Sequence, residues 1–398
     1  MDEVRVGIVG AGFLADTRAR CWRAARRART AGVVAQRRER ADAFAVRHGV
    51  TTVFDSFEAL LASPEVDLVD LCVPNALHRT MAVAAAEAGK HVLCTKPLTA
   101  YVGQDLPDRD RTDPEDAAVS GRAPETMAAV AADDARAMIE AAERAGVQLF
   151  YGENWVYAPS IVKARELLDT ADAALLEFRG WEAHSGSHSE YARSWRHTGG
   201  GALLRLGAHP IGAMLHLKRA EGLRRGGDPI RPVAVTGEVA DLTRVAGASE
   251  ANLRVATGWL DVENWGCAIV QFSDGSRGVA YGSDNTLGGM ESRIEIHASN
   301  TAIRCNLSPH DLVRAYAPDA AVFGHHYLQE KLDSGAGWTT PLPDEDWSSG
   351  QLAMCQAFAD ALCDGTPVEA DGQLGLDVTR VVYAAYQSAA EGRRIALD

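Results

Sequence analysis

The sequence lacks the paired cysteines of a disulfide framework or a zinc ribbon. Its seven cysteines are scattered over 398 residues, and no two of them are spaced as C-x-x-C. It also lacks an apolar run of the roughly 18 residues needed to span a bilayer. The first residues, MDEVRVGIVGAG, contain neither the basic region nor the cleavage site of a signal peptide. These absences predict a cytoplasmic protein without membrane association.

An excess of positive charge is missing as well. Forty lysines and arginines stand against 54 aspartates and glutamates, which gives a formal net charge of −14. Broad nucleic-acid binding requires the neutralisation of many phosphates, so no nucleic-acid partner is expected. The length of 398 residues favours two or three domains in a globular chain.

The first 150 residues alternate short apolar runs with Ala-rich helical patterns. Residues 4–9 (VRVGIV) predict a buried strand, and similar runs return at 66–73 and 147–151. Strands that alternate with helices of this length form βαβ units around a parallel sheet. We therefore predict a doubly wound dinucleotide-binding (Rossmann) domain over residues 1–150.

Beyond residue 150 the pattern becomes rich in strands. Segments at 174–184, 231–244, 267–283 and 292–307 alternate apolar and polar residues, which is typical of strands with one buried face. The predicted fold class is thus α/β, with a second, α+β domain over residues 151–398 built on a large, mostly antiparallel open sheet. The free face of that sheet predicts self-association.

One segment fits neither pattern. Residues 101–125 carry seven acidic side chains and three prolines with few apolar residues, a composition typical of a loop. The segment is interpreted either as a surface insertion or as a lid, because it follows the strand that carries Lys96.

A glycine segment, GAGFLA at residues 10–15, matches GxGxxA between a predicted strand and a predicted helix. The first glycine permits a tight turn, the second lets the backbone approach a pyrophosphate, and the helix N-terminus attracts the anion. The pattern alone is a weak signal, but its place at the head of a βαβ series predicts dinucleotide binding by Gly10, Gly12, Phe13 and Leu14.

The end of the second predicted strand indicates which dinucleotide is bound. An acidic residue there usually holds the ribose 2′-hydroxyl of NAD, but residues 33–38 (VVAQRR) contain no carboxylate. Arg37 and Arg38 instead suit a 2′-phosphate through charge-assisted hydrogen bonds. We therefore expect NADP as the preferred cofactor, with NAD as the alternative.

Three further stretches carry a family resemblance. They are CVPNALH at 72–78, AGKHVLCTKP at 88–97 and GGGALLRLGAHPIG at 199–212. With the glycine segment they resemble the Gfo/Idh/MocA oxidoreductases over nearly the whole chain. The resemblance implies an NAD(P)-dependent dehydrogenase or reductase acting on a sugar, cyclitol or glycoside-like alcohol or ketone. It also implies homodimers or homotetramers formed through the C-terminal sheet.

The resemblance implies roles for individual residues. The cofactor-binding residues that it adds are Val73, Pro74, Asn75, His78, Thr95, Lys96 and Pro97. Lys96 would exchange the proton of the substrate hydroxyl, and His209 would orient the oxygen or relay that proton. A single lysine or histidine is more often structural, but their joint occurrence with a cofactor domain favours a catalytic role.

Two positions depart from the family pattern. Thr95 replaces the usual glutamate, which alters how the nicotinamide ribose would be held. Arg205 stands where the family generally has an aspartate, one helical turn before His209 and on the same predicted face. We predict Lys96, His209 and Arg205 as the catalytic set, with Arg205 either lowering the pKa of Lys96 or anchoring an anionic substrate group. The remaining interpretation is that Arg205 turns away and pairs with an acidic residue.

Further pocket candidates lie at the domain junction and in the segment at 181–197. The predicted substrate residues are Asn154, Trp155, Tyr157, His184, His188, Arg193 and Trp195. A polar loop with tryptophans suits a hydroxylated ring, whereas packing between domains is the alternative for residues 154–157. The H-x3-H spacing of His184 and His188 would suit a metal on a helix, but the surrounding glycine and serines favour a loop. No metal is therefore predicted.

Two other functions stay open at this point. One is a redox-neutral epimerase, lyase or glycoside-cleaving enzyme that oxidises a ring carbon transiently and retains its nucleotide; the arginine at position 205 makes it more credible. The other is a non-catalytic NAD(P)-binding sensor, against which the presence of Lys96 and His209 argues.

Overall fold

The amino-terminal part of the protein is built on a parallel sheet. The computed structural model describes residues 1–107, 117–187, 189–248, 252–309, 312–332 and 334–397. The five parallel strands are β1 Val4–Val9, β2 Ala28–Val34, β3 Leu68–Leu71, β4 His91–Thr95 and β5 Leu149–Gly152. They lie in the order β2-β1-β3-β4-β5, so the winding of the sheet reverses between β1 and β3. The prediction of a Rossmann sheet is confirmed.

Six helices connect these strands in the described residues. They are α1 Phe13–Ala24, α2 Arg38–His48, α3 Phe57–Ala62, α4 His78–Glu87, α5 Ala117–Ser120 and α6 Pro124–Ala145. The sequence of α6 explains its bounds and its position. Pro124 occupies the first turn, where a missing N–H costs nothing, and Gly146 ends the helix at φ +66°. Small side chains such as Ala131 and Ala135 recur four residues apart and are buried.

A seven-stranded sheet forms the second part of the fold. Its strands are β6 Leu175–Ala183, β7 Pro232–Ala240, β8 Trp265–Phe272, β9 Arg277–Ser283, β10 Glu291–Ala298, β11 Ala302–Asn306 and β14 Ile395–Ala396. The spatial order is β11-β10-β6-β9-β8-β7-β14, and the pairings are antiparallel except between β6 and β9. The prediction of a large, mostly antiparallel sheet is confirmed. A small separate ribbon pairs β12 Ala315–Ala317 with β13 Gly337–Thr339.

Helices cover one face of the large sheet. The helices of this half are α7 Pro159–Thr170, α8 Trp195–Thr198, α9 Ala208–Gly226, α10 Glu345–Ser348, α11 Gln351–Asp364 and α12 Gly372–Glu391. Glycines in the strands allow a close approach: a Cβ at Gly180 would lie 2.7 Å from Pro210 of α9. The opposite face carries the exposed apolar side chains of Leu176, Ile269 and Tyr281.

The helices after residue 350 contact both parts of the fold. The buried guanidinium of Arg18 on α1 donates to Gln351 of α11 at 2.8 Å, and the ring of Phe150 on β5 stacks on Phe358 with centroids 4.6 Å apart. Helix α11, near the C-terminus, thus packs on the core of the amino-terminal part. The domain boundary at residue 150 therefore stays a prediction.

Residues 108–116, the centre of the acidic segment, lie outside the described residues, and the lid interpretation depends on them. The described flanks meet at Asp105, which accepts a hydrogen bond from the Tyr101 hydroxyl at 2.8 Å and one from Arg122 at 2.9 Å. Within the described ranges, no helix has the length and apolar character to cross a membrane.

Candidate functional site

The glycine loop lies where the winding of the first sheet reverses. Gly10 has φ +117°, and a Cβ there would lie 2.3 Å from the main-chain oxygen of Cys72 at the end of β3. This turn accordingly requires glycine. Among the described residues, no atom lies within 4 Å of a Cβ built on Gly12, and no side chain caps the N-terminus of α1. The loop thus offers the space and the main-chain N–H groups that a dinucleotide pyrophosphate needs.

A cavity of about 870 Å³ opens beside this loop. Its lining includes Phe13 and Leu14 of α1, Trp155 and His209, and Glu182 of β6. The cavity therefore lies between the two sheets, on the side where the carboxyl ends of the parallel strands place ligands.

Lys96 follows β4 directly, at the same edge of the parallel sheet. Its ammonium donates a hydrogen bond to the main-chain oxygen of Arg205. Burial lowers the pKa of Lys96, the carboxylates of Glu153 and Glu182 raise it, and the guanidinium of Arg205 lowers it. The net direction is downward, so the neutral amine that a general base requires is more accessible than in water.

Glu153, which sequence reasoning did not identify, pairs with His209. Its Oε1 lies 2.7 Å from His209 Nδ1 and accepts the main-chain N–H of Trp155 at 3.1 Å. The Trp155 indole stacks on the imidazole with ring centroids 5.6 Å apart. The position of Glu153 in the sequence could have identified it. An acidic residue directly after a parallel strand lies where ligands bind in such sheets.

The environment of His209 favours the neutral imidazole. Burial lowers its pKa, the Glu153 carboxylate raises it, and the Lys96 charge lowers it; the net direction is downward. A neutral ring that donates from Nδ1 to Glu153 keeps Nε2 as an acceptor. His209 can therefore take or return a proton through Nε2 while Glu153 holds the ring.

Glu182, on the second sheet, was not predicted either. It is 4% exposed and lines the cavity, and its Oε2 has no hydrogen-bond partner in the described part of the chain. Burial raises the pKa of Glu182 to about 8, against the opposing effects of the Ser292 hydroxyl and the Lys96 charge. Nothing in the sequence distinguishes Glu182 from the other polar residues of an alternating strand, so its place in the cavity could not be predicted.

Arg205 directs its guanidinium away from the cavity. It forms an ion pair with the buried carboxylate of Asp284 and lies 5.5 Å from the ring centre of Trp259. Its contact with Lys96 is made by the main-chain oxygen. The expectation that Arg205 and His209 act side by side does not match this geometry, because the Arg205 guanidinium pairs with Asp284 while the His209 imidazole pairs with Glu153. The interpretation in which Arg205 turns away to an acidic residue fits it.

The predicted cofactor residues at the ends of β3 and β4 are Val73, Pro74, Asn75, His78, Thr95 and Pro97. The adjacent carboxyl ends of the two strands bring these segments together. His78 is buried between them, with Nδ1 3.0 Å from the main-chain oxygen of Pro97 and Nε2 3.0 Å from that of Val73. Asn75 donates to the main-chain oxygen of Thr198 at 2.7 Å. In this geometry His78 holds the two segments in place.

Arg37 and Arg38 are exposed at the end of β2. Arg38 forms ion pairs with Asp42 and Asp55. The guanidinium of Arg37 has no hydrogen bond or ion pair with any residue that the structure describes. Arg37 is therefore the freer of the two to bind a 2′-phosphate.

The residues predicted at the domain junction take two positions. Asn154 and Trp155 line the cavity, and Asn154 also donates to the main-chain oxygen of Ser349 at 2.7 Å. The hydroxyl of Tyr157 instead accepts the main-chain N–H of Ala370 at 3.1 Å, within the packed interior. Packing, the alternative interpretation, describes Tyr157.

Three other predicted substrate residues are absent from the cavity lining as the described residues form it: His184, Arg193 and Trp195. His184 Nδ1 lies 3.6 Å from Asp284, the partner of Arg205. The indole of Trp195 donates to the main-chain oxygen of Tyr101 at 3.1 Å. His188 lies outside the described residues, so the structure does not describe the H-x3-H pair.

Two models of one protein family match the chain. Residues 4–106 match GFO_IDH_MocA, described as an oxidoreductase family with an NAD-binding Rossmann fold. Residues 161–304 match the GFO/IDH/MocA C-terminal domain.

Similar proteins align over nearly the whole chain. Levoglucosan dehydrogenase of Pseudarthrobacter phenanthrenivorans is 24% identical over 98% of this chain and 97% of that protein. D-xylose 1-dehydrogenase (NADP(+)) 2 of Haloferax volcanii is 26% identical over 92% of each. The crystal structure of GenD2 from gentamicin A biosynthesis, in complex with NAD, has a TM-score of 0.77 and 26% identity, covering 100% of this chain and 97% of that one.

Proposed function

The chain belongs to the GFO/IDH/MocA family of NAD(P)-dependent oxidoreductases, and from this premise we propose that it transfers a hydride between NAD(P) and a carbinol or ketone carbon of a sugar or cyclitol. Relatives named as levoglucosan and scyllo-inositol dehydrogenases support this substrate class. The observation that carries the proposal is the shared cavity. His209 and Glu182 line the cavity that reaches Phe13 and Leu14 after the glycine loop, and the charge of Lys96 lowers the pKa of both.

The cofactor would be held by the residues that the glycine loop presents. Gly10 and Gly12 provide the turn and the space, and Phe13 and Leu14 form the first turn of α1 beside the cavity. A bound nicotinamide dinucleotide supplies the hydride in one direction and accepts it in the other.

The protein's own residues would move the proton. In alcohol oxidation the carbinol C–H leaves as a hydride, and the hydroxyl proton passes to the neutral amine of Lys96. In ketone reduction the Lys96 ammonium returns that proton to the oxygen. His209, fixed through Nδ1 by Glu153, would orient the same oxygen with Nε2. Burial lowers the pKa of both bases, which keeps them able to accept a proton near neutral pH.

Replacement of Lys96 tests this role. We expect Lys96→Ala to reduce turnover by about 10³-fold, within the range for loss of a general acid–base group, and to leave nucleotide affinity nearly unchanged. Turnover is followed by the absorbance of reduced nucleotide, and affinity by quenching of tryptophan fluorescence. Lys163→Ala is the matched control, because Lys163 is exposed on α7 and pairs with Glu166.

The same measurement separates the alternatives. Loss of nucleotide binding in Lys96→Ala would show that Lys96 is structural. Turnover without net absorbance change, together with nucleotide released on denaturation, would identify a redox-neutral enzyme instead. The redox-neutral alternative was supported by Arg205, which stands where the family generally has an aspartate. Glu153 weakens that support, because it provides a carboxylate beside His209.

We also propose a homodimer or homotetramer that uses the open face of the large sheet. The exposed side chains of Leu176, Ile269 and Tyr281 on that face support it, because apolar groups gathered on one face favour association. The expected partner of the site is a small molecule.

A further inference from the structure

The cavity lined by His209 and Glu182 carries more acidic than basic side chains. The carboxylates in its lining are Glu182, Glu330, Asp344, Glu345 and Asp346. Arg20 is the one guanidinium in the lining as the described residues form it, and it already binds Asp346 through two hydrogen bonds of 2.9 and 3.0 Å. Arg20 thus neutralises Asp346, and the other four carboxyl groups have no guanidinium among the described residues of this lining.

Most of these carboxylates have partners within the protein. Asp344 caps α10 by accepting the main-chain N–H of Trp347 at 2.8 Å. Glu345 accepts a hydrogen bond from the Tyr327 hydroxyl at 2.6 Å. Such contacts explain their presence without a ligand.

Glu330 is also partly balanced, because the ammonium of Lys331 lies 3.9 Å away. That ammonium donates to the main-chain oxygen of Gly186 at 2.9 Å. Glu330 thus shares its cation with a main-chain acceptor, and its charge still acts on Glu182, whose pKa it raises.

Glu182 is only partly satisfied, by a hydrogen bond with the Ser292 hydroxyl. It is 4% exposed, its Oε2 has no partner, and it forms no ion pair with any described cation. Lys96 is close enough to affect its titration but donates to the main-chain oxygen of Arg205. Burial without a counter-ion favours the protonated form of Glu182 and raises its pKa to about 8. A cation entering the cavity would supply the missing partner and stabilise the ionised carboxylate.

The chemistry of the site narrows the kind of cation. A metal ion would need several ligands together, and the described residues contain no group of three or more that could hold one. An ammonium group needs only a carboxylate and neighbouring hydrogen-bond acceptors. Because Glu182 and His209 line one cavity, a single small ring could bind both through an amine and a hydroxyl.

We infer that the substrate is an amino sugar or aminocyclitol whose ammonium group binds the Glu182 carboxylate. The inference rests on the proposed hydride transfer and names its substrate class. Glu182 would select the charged ring and hold it with a hydroxyl toward His209 and Lys96.

Matched probes test the inference on the full-length protein loaded with nucleotide. D-glucosamine, N-acetyl-D-glucosamine and D-glucose share a ring but differ in charge, and scyllo-inosamine and scyllo-inositol form a second pair. Calorimetry measures binding, and absorbance of the nucleotide measures turnover. We expect each charged member to bind at least about tenfold more tightly than its neutral counterparts, as one charge-assisted contact allows.

Substitutions assign the preference to one carboxylate. Glu182→Gln should reduce the preference to about twofold or less, because the amide keeps the shape of the side chain and loses the charge that binds the ammonium group. Glu177→Gln on the same strand should retain it, because Glu177 pairs with Arg179 outside the cavity lining. If Glu182→Gln fails to fold, as judged by circular dichroism, Glu330→Gln should still reduce the preference by a smaller factor of about three.

The outcomes separate this inference from the proposed function. Equal binding of charged and neutral members, or no binding of any probe, overturns the inference. Turnover of neutral rings without preference for the amine overturns it too, while the proposed function stands. A preference in binding that is lost in Glu182→Gln, with no turnover of any probe, supports the inference and contradicts the proposed hydride transfer.

Discussion

The two sides of the cavity use different parts of the polypeptide. At the glycine loop the working groups are main-chain N–H groups and a space, set by the turn at Gly10 and the missing side chain at Gly12. On the opposite side they are buried ionisable side chains: Glu153, His209 and Glu182. The first side is damaged by adding atoms, whereas the second is damaged by removing a charge.

The second side is also coupled in a way that the first is not. Burial lowers the pKa of Lys96 and of His209, the charge of Lys96 lowers that of His209 further, and the Glu153 carboxylate raises both. A change at one of these groups therefore alters the protonation of its neighbours. A change at the glycine loop acts through steric fit alone.

The largest expected effect is on the steric side. Gly10→Ala should destabilise the fold by about 1–3 kcal/mol or more and abolish nucleotide binding, because φ +117° strains an L-residue and the new Cβ meets the Cys72 oxygen. Gly12→Ala is the matched control. It should leave the thermal midpoint unchanged and weaken nucleotide binding by about tenfold, since its Cβ would enter only the space expected for the pyrophosphate. Thermal unfolding and fluorescence titration measure the two quantities; identical behaviour of the variants would contradict the steric account.

On the charged side, Glu153→Gln should lower kcat by about 10- to 100-fold with a smaller change in KM. The dependence of kcat/KM on pH is the more specific test of this role. Glu153 raises the pKa of Lys96, so its neutralisation lowers that pKa. Because alcohol oxidation needs the neutral amine, the rise of kcat/KM with pH should move to lower pH.

A conservative variant distinguishes positioning from packing at the same residue. Glu153→Asp keeps the charge and should recover part of kcat together with the original pH profile. A loss of activity in both variants with an unmoved profile would mean that Glu153 supports the structure without setting the protonation of Lys96 or His209.

The smallest effect is expected at the far end of the nucleotide site. Arg37→Ala should weaken NADPH binding by about tenfold and leave NADH binding unchanged, because a guanidinium contributes one charge-assisted contact to a 2′-phosphate. Arg38→Ala should have less effect, since Asp42 and Asp55 already hold that side chain. Fluorescence titrations with NADH and NADPH measure these affinities. Equal affinities for the two nucleotides in the unmodified protein would contradict the expected NADP preference.

The comparison also shows which features a sequence can predict. The glycine loop and the parallel strands follow local rules of spacing and periodicity, so the Gly10 turn and β1 at Val4–Val9 were predicted correctly. The charged side depends on partners far apart in the chain. Glu153 meets His209 across 56 residues, and Arg205 meets Asp284 across 79.

The orientation of Arg205 illustrates the limit. Helical spacing places Arg205 on the face of His209, but the sequence contains no signal for the partner that its guanidinium takes, the buried Asp284. The orientation of its guanidinium depends on a buried aspartate that directly follows β9. Only the assembled fold brings these groups together.

The position of α11 has a consequence for how the protein folds during its synthesis. Its residues cover Arg18, which precedes its partner Gln351 by 333 positions, and its Phe358 covers Phe150. The parallel strands can pair while the chain is still on the ribosome, but their core is complete only when α11 has emerged. The nascent amino-terminal half therefore presents a patch of apolar surface throughout most of translation, and this is the stage at which chaperones would bind it.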